Sequence, residues 1–146
     1  MIKAVAFALL ATPTLAQDSG DKPLHPQFTI TAPDHLVLET LQNGYRLHDG
    51  RMIRNPLFLT IVMDQPAEHT ALPPYSLKKR VAGFDQPFTY RIVESAGGSG
   101  GNTFTLTASG QDNIGLPLHM SAQLQSEWGT PTFKEAWEIL ETYRPR

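Results

Sequence analysis

Cysteine is missing altogether from the 146 residues. Its absence excludes disulfides, iron–sulfur clusters, thiolate zinc sites, a cysteine nucleophile and a lipidated N-terminal cysteine. Charge is scarce as well. Charged residues make up 18% of the chain, below the ~25% usual for soluble domains, and the formal net charge is −2. There is no basic surplus for DNA, RNA or an anionic membrane to meet, so neither nucleic acid nor membrane is an expected partner. No internal repeat and no second zone of composition divides the chain. What is plentiful is apolar surface, at 40% of residues, together with 12 prolines. That combination describes one globular domain with frequent turns and a core large enough to fold without staples.

The first sixteen residues read as a targeting segment. Lys3 supplies a positive start, Ala4 to Ala11 is an apolar run, and Thr12-Pro13-Thr14-Leu15-Ala16 ends in small residues at Thr14 and Ala16. This is the anatomy of a secretory signal cleaved between Ala16 and Gln17, and its apolar run is far short of the ~20 residues that span a bilayer. Cleavage would remove Lys3 and leave the mature chain one unit more negative. Lacking a lipobox cysteine, the product is expected free in the periplasm or outside the cell. Residues 17–27 are a polar, proline-bearing leader expected to be flexible, and 28–146 form the single folded domain.

That domain reads as sheet first and helix last. Phe28-Thr29-Ile30-Thr31, Phe88 to Glu94 and Thr103 to Thr107 alternate apolar and polar residues, the period of half-buried strands. Leu36-Val37-Leu38 fits a strand or a helix, and Asn43-Gly44 before Tyr45-Arg46-Leu47 favours a strand pair closed by a tight turn. Leu57 to Met63 is a near-continuous β-branched run suited to a central strand. Leu116 to Leu124 reads as another strand, which Pro117 confines to a sheet edge or a strand start. Pro66 to Pro74 is a proline-rich loop, and Lys78-Lys79-Arg80 reads as a solvated surface stretch. At the end, Thr132 with Glu135 forms a capping-box pattern. Phe133, Ala136, Trp137, Leu140 and Tyr143 or Arg144 then recur on one helical face. The fold class is α+β: a mainly antiparallel β-sheet with a C-terminal amphipathic helix.

Catalytic patterns fail on their surroundings. Gly97-Gly98-Ser99-Gly100-Gly101 satisfies G-x-S-x-G, but a nucleophile elbow needs a helix after the serine, and here Thr103 to Thr107 is strand-like. Phosphate-binding glycine loops fail for the same reason. The five histidines, His25, His35, His48, His69 and His119, have no metal-ligand spacing. Asp112-Asn113 between Gly110 and Gly115 lacks EF-hand order and reads as an Asx-type turn. No catalytic residue, metal site or cofactor is therefore expected.

Several local features remain, in one order. Gly44-Tyr45-Arg46 leads to Arg54-Asn55-Pro56, then a strand and a proline loop. Tyr90-Arg91-Ile92, the Gly97 to Gly101 run, Gln125-Ser126-Glu127, Pro131-Thr132-Phe133 and Trp137 follow. This series resembles periplasmic immunity proteins of type VI secretion that protect against a muramidase effector, over roughly Asp34 to Tyr143. The resemblance implies a Mog1/PsbP-like fold, an antiparallel sheet flanked by helices, of which Leu36 to Leu41 would supply a second one. It also implies a non-enzymatic inhibitor whose partner is a secreted peptidoglycan-cutting enzyme and which fills that enzyme's substrate cleft. The expected partner-binding residues are the hairpin loop Gly97, Gly98, Ser99, Gly100, Gly101 and Asn102, because glycine lets backbone approach closely and a loop on a rigid sheet enters a groove with little reordering. The competing reading is a periplasmic ligand-binding or envelope assembly-factor domain without catalytic activity, since fold alone does not choose between them.

Overall fold

The computed structural model describes residues 25–51, 56–63, 76–96 and 101–146. The signal segment, most of the 17–27 leader, the proline loop and Gly97 to Gly100 lie outside the described residues.

Seven strands form one wholly antiparallel sheet: β2 (Leu36–Thr40), β3 (Gly44–Asp49), β4 (Phe58–Val62), β5 (Leu77–Lys79), β6 (Phe88–Ser95), β7 (Asn102–Gln111) and β8 (Pro117–Ser126). Their order is β2-β3-β4-β8-β7-β6-β5. A second, two-stranded sheet joins the ends of the domain, β1 (Phe28–Thr29) to β9 (Arg144–Pro145). The alternation in the sequence becomes two faces. Leu47, Leu59, Ile61, Phe104, Leu106, Ala108, Leu118, Met120 and Ala122 line the buried face. The other face carries Thr60, Thr103, Thr105, Thr107, Ser109, Ser121 and Gln123, whose rows follow from the strand registers.

The single described helix, α1 (Lys134–Leu140), buries Ala136, Trp137, Ile139 and Leu140. Trp137 meets Tyr90 edge-on at 5.3 Å between ring centroids. A chain of rings closes the rest of the core. Tyr45 and Tyr143 both contact Phe28, Tyr143 contacts Phe84, and Phe84 contacts Phe88, with centroids 5.0–5.3 Å apart. The Tyr45 hydroxyl donates to the Phe28 carbonyl at 2.8 Å, so the first strand is held by a hydrogen bond as well as by area.

The structure corrects two sequence expectations and sharpens two others. Leu36 to Leu41 is not a helix: Leu36–Thr40 pairs along β3, and the Leu41 amide closes the turn onto the Gly44 carbonyl at 2.8 Å. Pro117 starts its strand, one of the two places expected for it, and that strand lies between β4 and β7. A first residue has no ladder donor to lose there, so proline is tolerated. The capping box is not formed. Phe133 occupies the cap with φ 56°, ψ 33° and no side-chain cap bond. Burial of its ring holds this left-handed backbone in place, while the Glu135 carboxylate pairs with His35 at 2.7 Å instead. Finally, Leu77–Lys79 is an edge strand. Its residues are exposed, as expected of a charged stretch, yet the Lys79 ammonium sits 5.8 Å from the Trp137 ring centre.

Candidate interaction site

The strand registers sort the loops to two ends of the sheet. One end gathers the β3–β4 connection after Asp49, the β6–β7 hairpin and the exit of β8 toward α1. The other gathers the β2–β3 turn, the β7–β8 turn and the entry to β6.

At the first end, Gly101 and Asn102 are the described part of the predicted binding loop. Gly101 has φ +98°, and a Cβ placed on it would lie 2.2 Å from the Ser126 carbonyl oxygen and 2.8 Å from the Glu127 amide nitrogen. Only glycine fits this contact. The hairpin root is therefore pressed against the β8 exit, and Asn102 pairs with Ser126 in the ladder. The Asn102 side-chain amide donates to the Glu94 carboxylate, fixing the loop's two stems to each other. Gly97, Gly98, Ser99 and Gly100 lie outside the described residues.

The β8 exit carries a residue that the sequence reading passed over. Trp128 is 94% exposed. Its amide donates to Ser126 Oγ at 3.2 Å, and Gly129 follows with φ +105°. The signal was an aromatic between Glu127 and a turn glycine, outside both the strand alternation and the helical face. Nearby, Asp49 accepts three hydrogen bonds from Arg51 at 2.9–3.1 Å. The Arg51 guanidinium holds the Asp49 carboxyl below the ordinary carboxylate value against its own desolvation. On the polar face near this end, Pro56, Phe58, Thr103, Gln123, Leu124 and Gln125 border an open groove of ≈280 Å³.

The second end is built differently. Asp112 is 5% exposed. Its carboxylate accepts from the Ile114 amide at 3.1 Å, the Leu116 amide at 2.8 Å and the Tyr143 hydroxyl at 2.7 Å. This is the Asx turn expected from the sequence, tied in addition to the C-terminal segment. Asn113 bridges to the Asp85 amide at 2.8 Å and the Gly83 carbonyl at 3.1 Å. Burial, reinforced by the hydrogen bond to Asp112 and its charge, pushes the Tyr143 phenol well above its usual value.

The histidines are used singly. His35 pairs with Glu135, His48 lies 3.4 Å from Glu39, and His119 Nδ1 is 2.8 Å from Ser109 Oγ. No group of three or more metal-ligating side chains comes together among the described residues. None of their helices is long and apolar enough to cross a membrane.

The antiparallel sheet with its single described helix does not by itself define a function; comparison with known proteins does. The model of the type six secretion immunity 3 domain (Tsi3) matches residues 29–144, and the chain belongs to that family. It is 32% identical over 151 aligned positions to the Immune protein Tsi3 of Pseudomonas aeruginosa PAO1, with 98% of this chain and 99% of that protein covered. Among solved structures, a crystal structure from Bacteroides thetaiotaomicron VPI-5482 superposes with a TM-score of 0.54 at 10% identity. It covers 84% of this chain, which spans about half of that one (47%), and the likeness concerns the fold alone. The chain is thus a type VI secretion immunity protein, and its partner is a cognate effector.

Proposed function

We propose that the protein is exported, loses residues 1–16 and inhibits a peptidoglycan-degrading effector of the muramidase class by occupying its substrate cleft. The inhibition is stoichiometric binding, with no chemistry done by this chain. Export follows from the Lys3, Ala4–Ala11 and Thr14-x-Ala16 pattern, and it brings the protein to the compartment where peptidoglycan is cut. The muramidase class and a Mog1/PsbP-like fold rest on the order of motifs from Gly44 to Trp137.

The observation that carries the cleft mechanism is the fit of Gly101 against Ser126 and Glu127. It roots the Gly97 to Asn102 hairpin on two of the longest strands of the sheet, β7 and β8. A root fixed in this way lowers the ordering cost of binding at Gly101 and Asn102. The test titrates a candidate muramidase effector with the mature chain and follows peptidoglycan hydrolysis. Gly98→Trp should weaken inhibition strongly at unchanged stability, because bulk there blocks close backbone approach. Ser99→Ala should cost roughly one hydrogen bond, ~0.5–1.5 kcal/mol. Equal inhibition by wild type and Gly98→Trp removes the loop from the interface. No inhibition by the wild-type chain discards the muramidase reading.

A further inference from the structure

We propose that Trp128 is the principal anchor of this protein in its effector, and that its indole seats where a sugar ring of the glycan strand would stack. The proposal rests on the cleft-occupying reading and names the side chain that does most of the binding.

The argument begins with where the ring is. Burial of a large aromatic is among the strongest contributions a side chain can make to a fold. Trp137 makes that contribution here, whereas Trp128 is 94% exposed. Its surface is available to a partner instead. The turn that carries it is also set in advance. Ser126 Oγ accepts from the Trp128 amide, Gly129 takes the left-handed backbone the turn requires, and Gly101 packs behind Ser126 and Glu127. Binding then costs little backbone ordering, the condition under which a single aromatic becomes a hot spot.

The occupant follows from position and chemistry. The ring projects from the turn that follows Ser126 and Glu127, against which Gly101 packs, so a partner that covers the β6–β7 root meets the ring too. A cleft that holds glycan offers planar apolar platforms flanked by hydrogen-bonding groups. An indole flanked by Glu127, with Glu94 and Asn102 at the neighbouring hairpin root, answers both features. The carboxylates fit a cleft rim that carries cationic or amide donors, and such contacts weaken with added salt.

The experiment is isothermal titration of the purified chain into a purified muramidase-type effector that the wild-type chain inhibits, with wild type, Trp128→Ala and Trp128→Phe. Trp128→Ala should lose roughly thirtyfold or more in affinity, the scale of an interface hot spot. Trp128→Phe should keep much of it, and both variants should unfold at the wild-type denaturant midpoint. A soluble glycan fragment of peptidoglycan should compete with the wild-type chain for the effector. Affinity of Trp128→Ala within about twofold of wild type, with wild type still binding, overturns the anchor and leaves the inhibitor reading standing. Dependence on Trp128 without competition by the glycan fragment overturns the sugar-subsite seating. Failure of the wild-type chain to inhibit any such effector removes the proposed function itself.

Discussion

Trp128 and Trp137 stand on either side of the crossing from the sheet to the helix, and their surroundings are opposite. Trp137 is 5% exposed, packed edge-on against Tyr90 with the Lys79 ammonium over its ring. Trp128 is almost wholly in water. The same contrast separates the two ends of the sheet. Around Asp112, two backbone amides and the Tyr143 hydroxyl converge on one buried carboxylate, and Asn113 ties the turn to a neighbouring loop. Around Gly101, close packing and a few bonds fix the hairpin root, while Trp128 is left 94% exposed. One end spends its polar groups on holding the fold together. At the other, Asp49 and Arg51 pair and Gly101 packs against the β8 exit, but Trp128 stays exposed.

The largest break in this comparison comes from the buried member. Trp137→Ala should cost about 3–5 kcal/mol, as for large aromatics deleted from cores, because Tyr90 and the helix face lose their filling together. Chemical denaturation measures it. A loss below ~1 kcal/mol would mean that the helix is peripheral and that the two tryptophans do not differ in kind.

Tyr143→Phe acts at the tied end. It removes the 2.7 Å bond to Asp112 and leaves a buried carboxylate one donor short, a change expected to cost about 1–3 kcal/mol. The bond also has a pH signature. The folded state holds the phenol above its ordinary value, mainly through burial. The stabilisation is therefore complete below the unfolded phenol value of about 10 and is lost as pH rises through the folded one. The wild-type chain should lose stability in alkali that Tyr143→Phe does not lose. Parallel alkaline profiles for the two would show that the phenol is solvated.

Much of this architecture was legible in the sequence. Thr103 to Thr107 alternates cleanly because one face of the sheet is buried and the other is wet, Phe88 to Glu94 follows the period only as far as the exposed Val93, and Asn43-Gly44 marked a hairpin by turn chemistry alone. What stayed hidden depends on contacts between distant segments. Leu77–Lys79 is too short and too exposed to show a period, and it is a strand because β6 offers it an edge. Arg144–Pro145 pairs only once Phe28 has been brought beside it. Phe133 takes a left-handed cap that no local rule assigns to phenylalanine, because its ring is needed in the core. The candidate site divides in the same way. Glycines announced the hairpin loop, but Trp128 follows no periodic pattern, so only its exposure in the folded chain distinguishes it from a core aromatic.

The smallest expected effect is also the sharpest test of how the two ends differ, and it compares two glycines. Gly101 and Gly115 both have positive φ, +98° and +92°, so alanine at either pays the left-handed backbone penalty, roughly 1–2 kcal/mol. Their surroundings separate them. A Cβ at Gly115 meets open space, whereas one at Gly101 would press into the Ser126 carbonyl and the Glu127 amide. Gly115→Ala should therefore show the backbone penalty alone and leave effector binding unchanged. Gly101→Ala should lose more stability than Gly115→Ala and should also weaken binding, because relieving the overlap moves the hairpin root away from the turn that carries Trp128. Denaturation midpoints and effector titrations of the two variants, side by side, give the answer. Equal stability losses would mean that the hairpin and the Trp128 turn are not braced against each other. A larger loss for Gly101→Ala with unaltered binding would keep the brace as a feature of the fold and detach it from recognition.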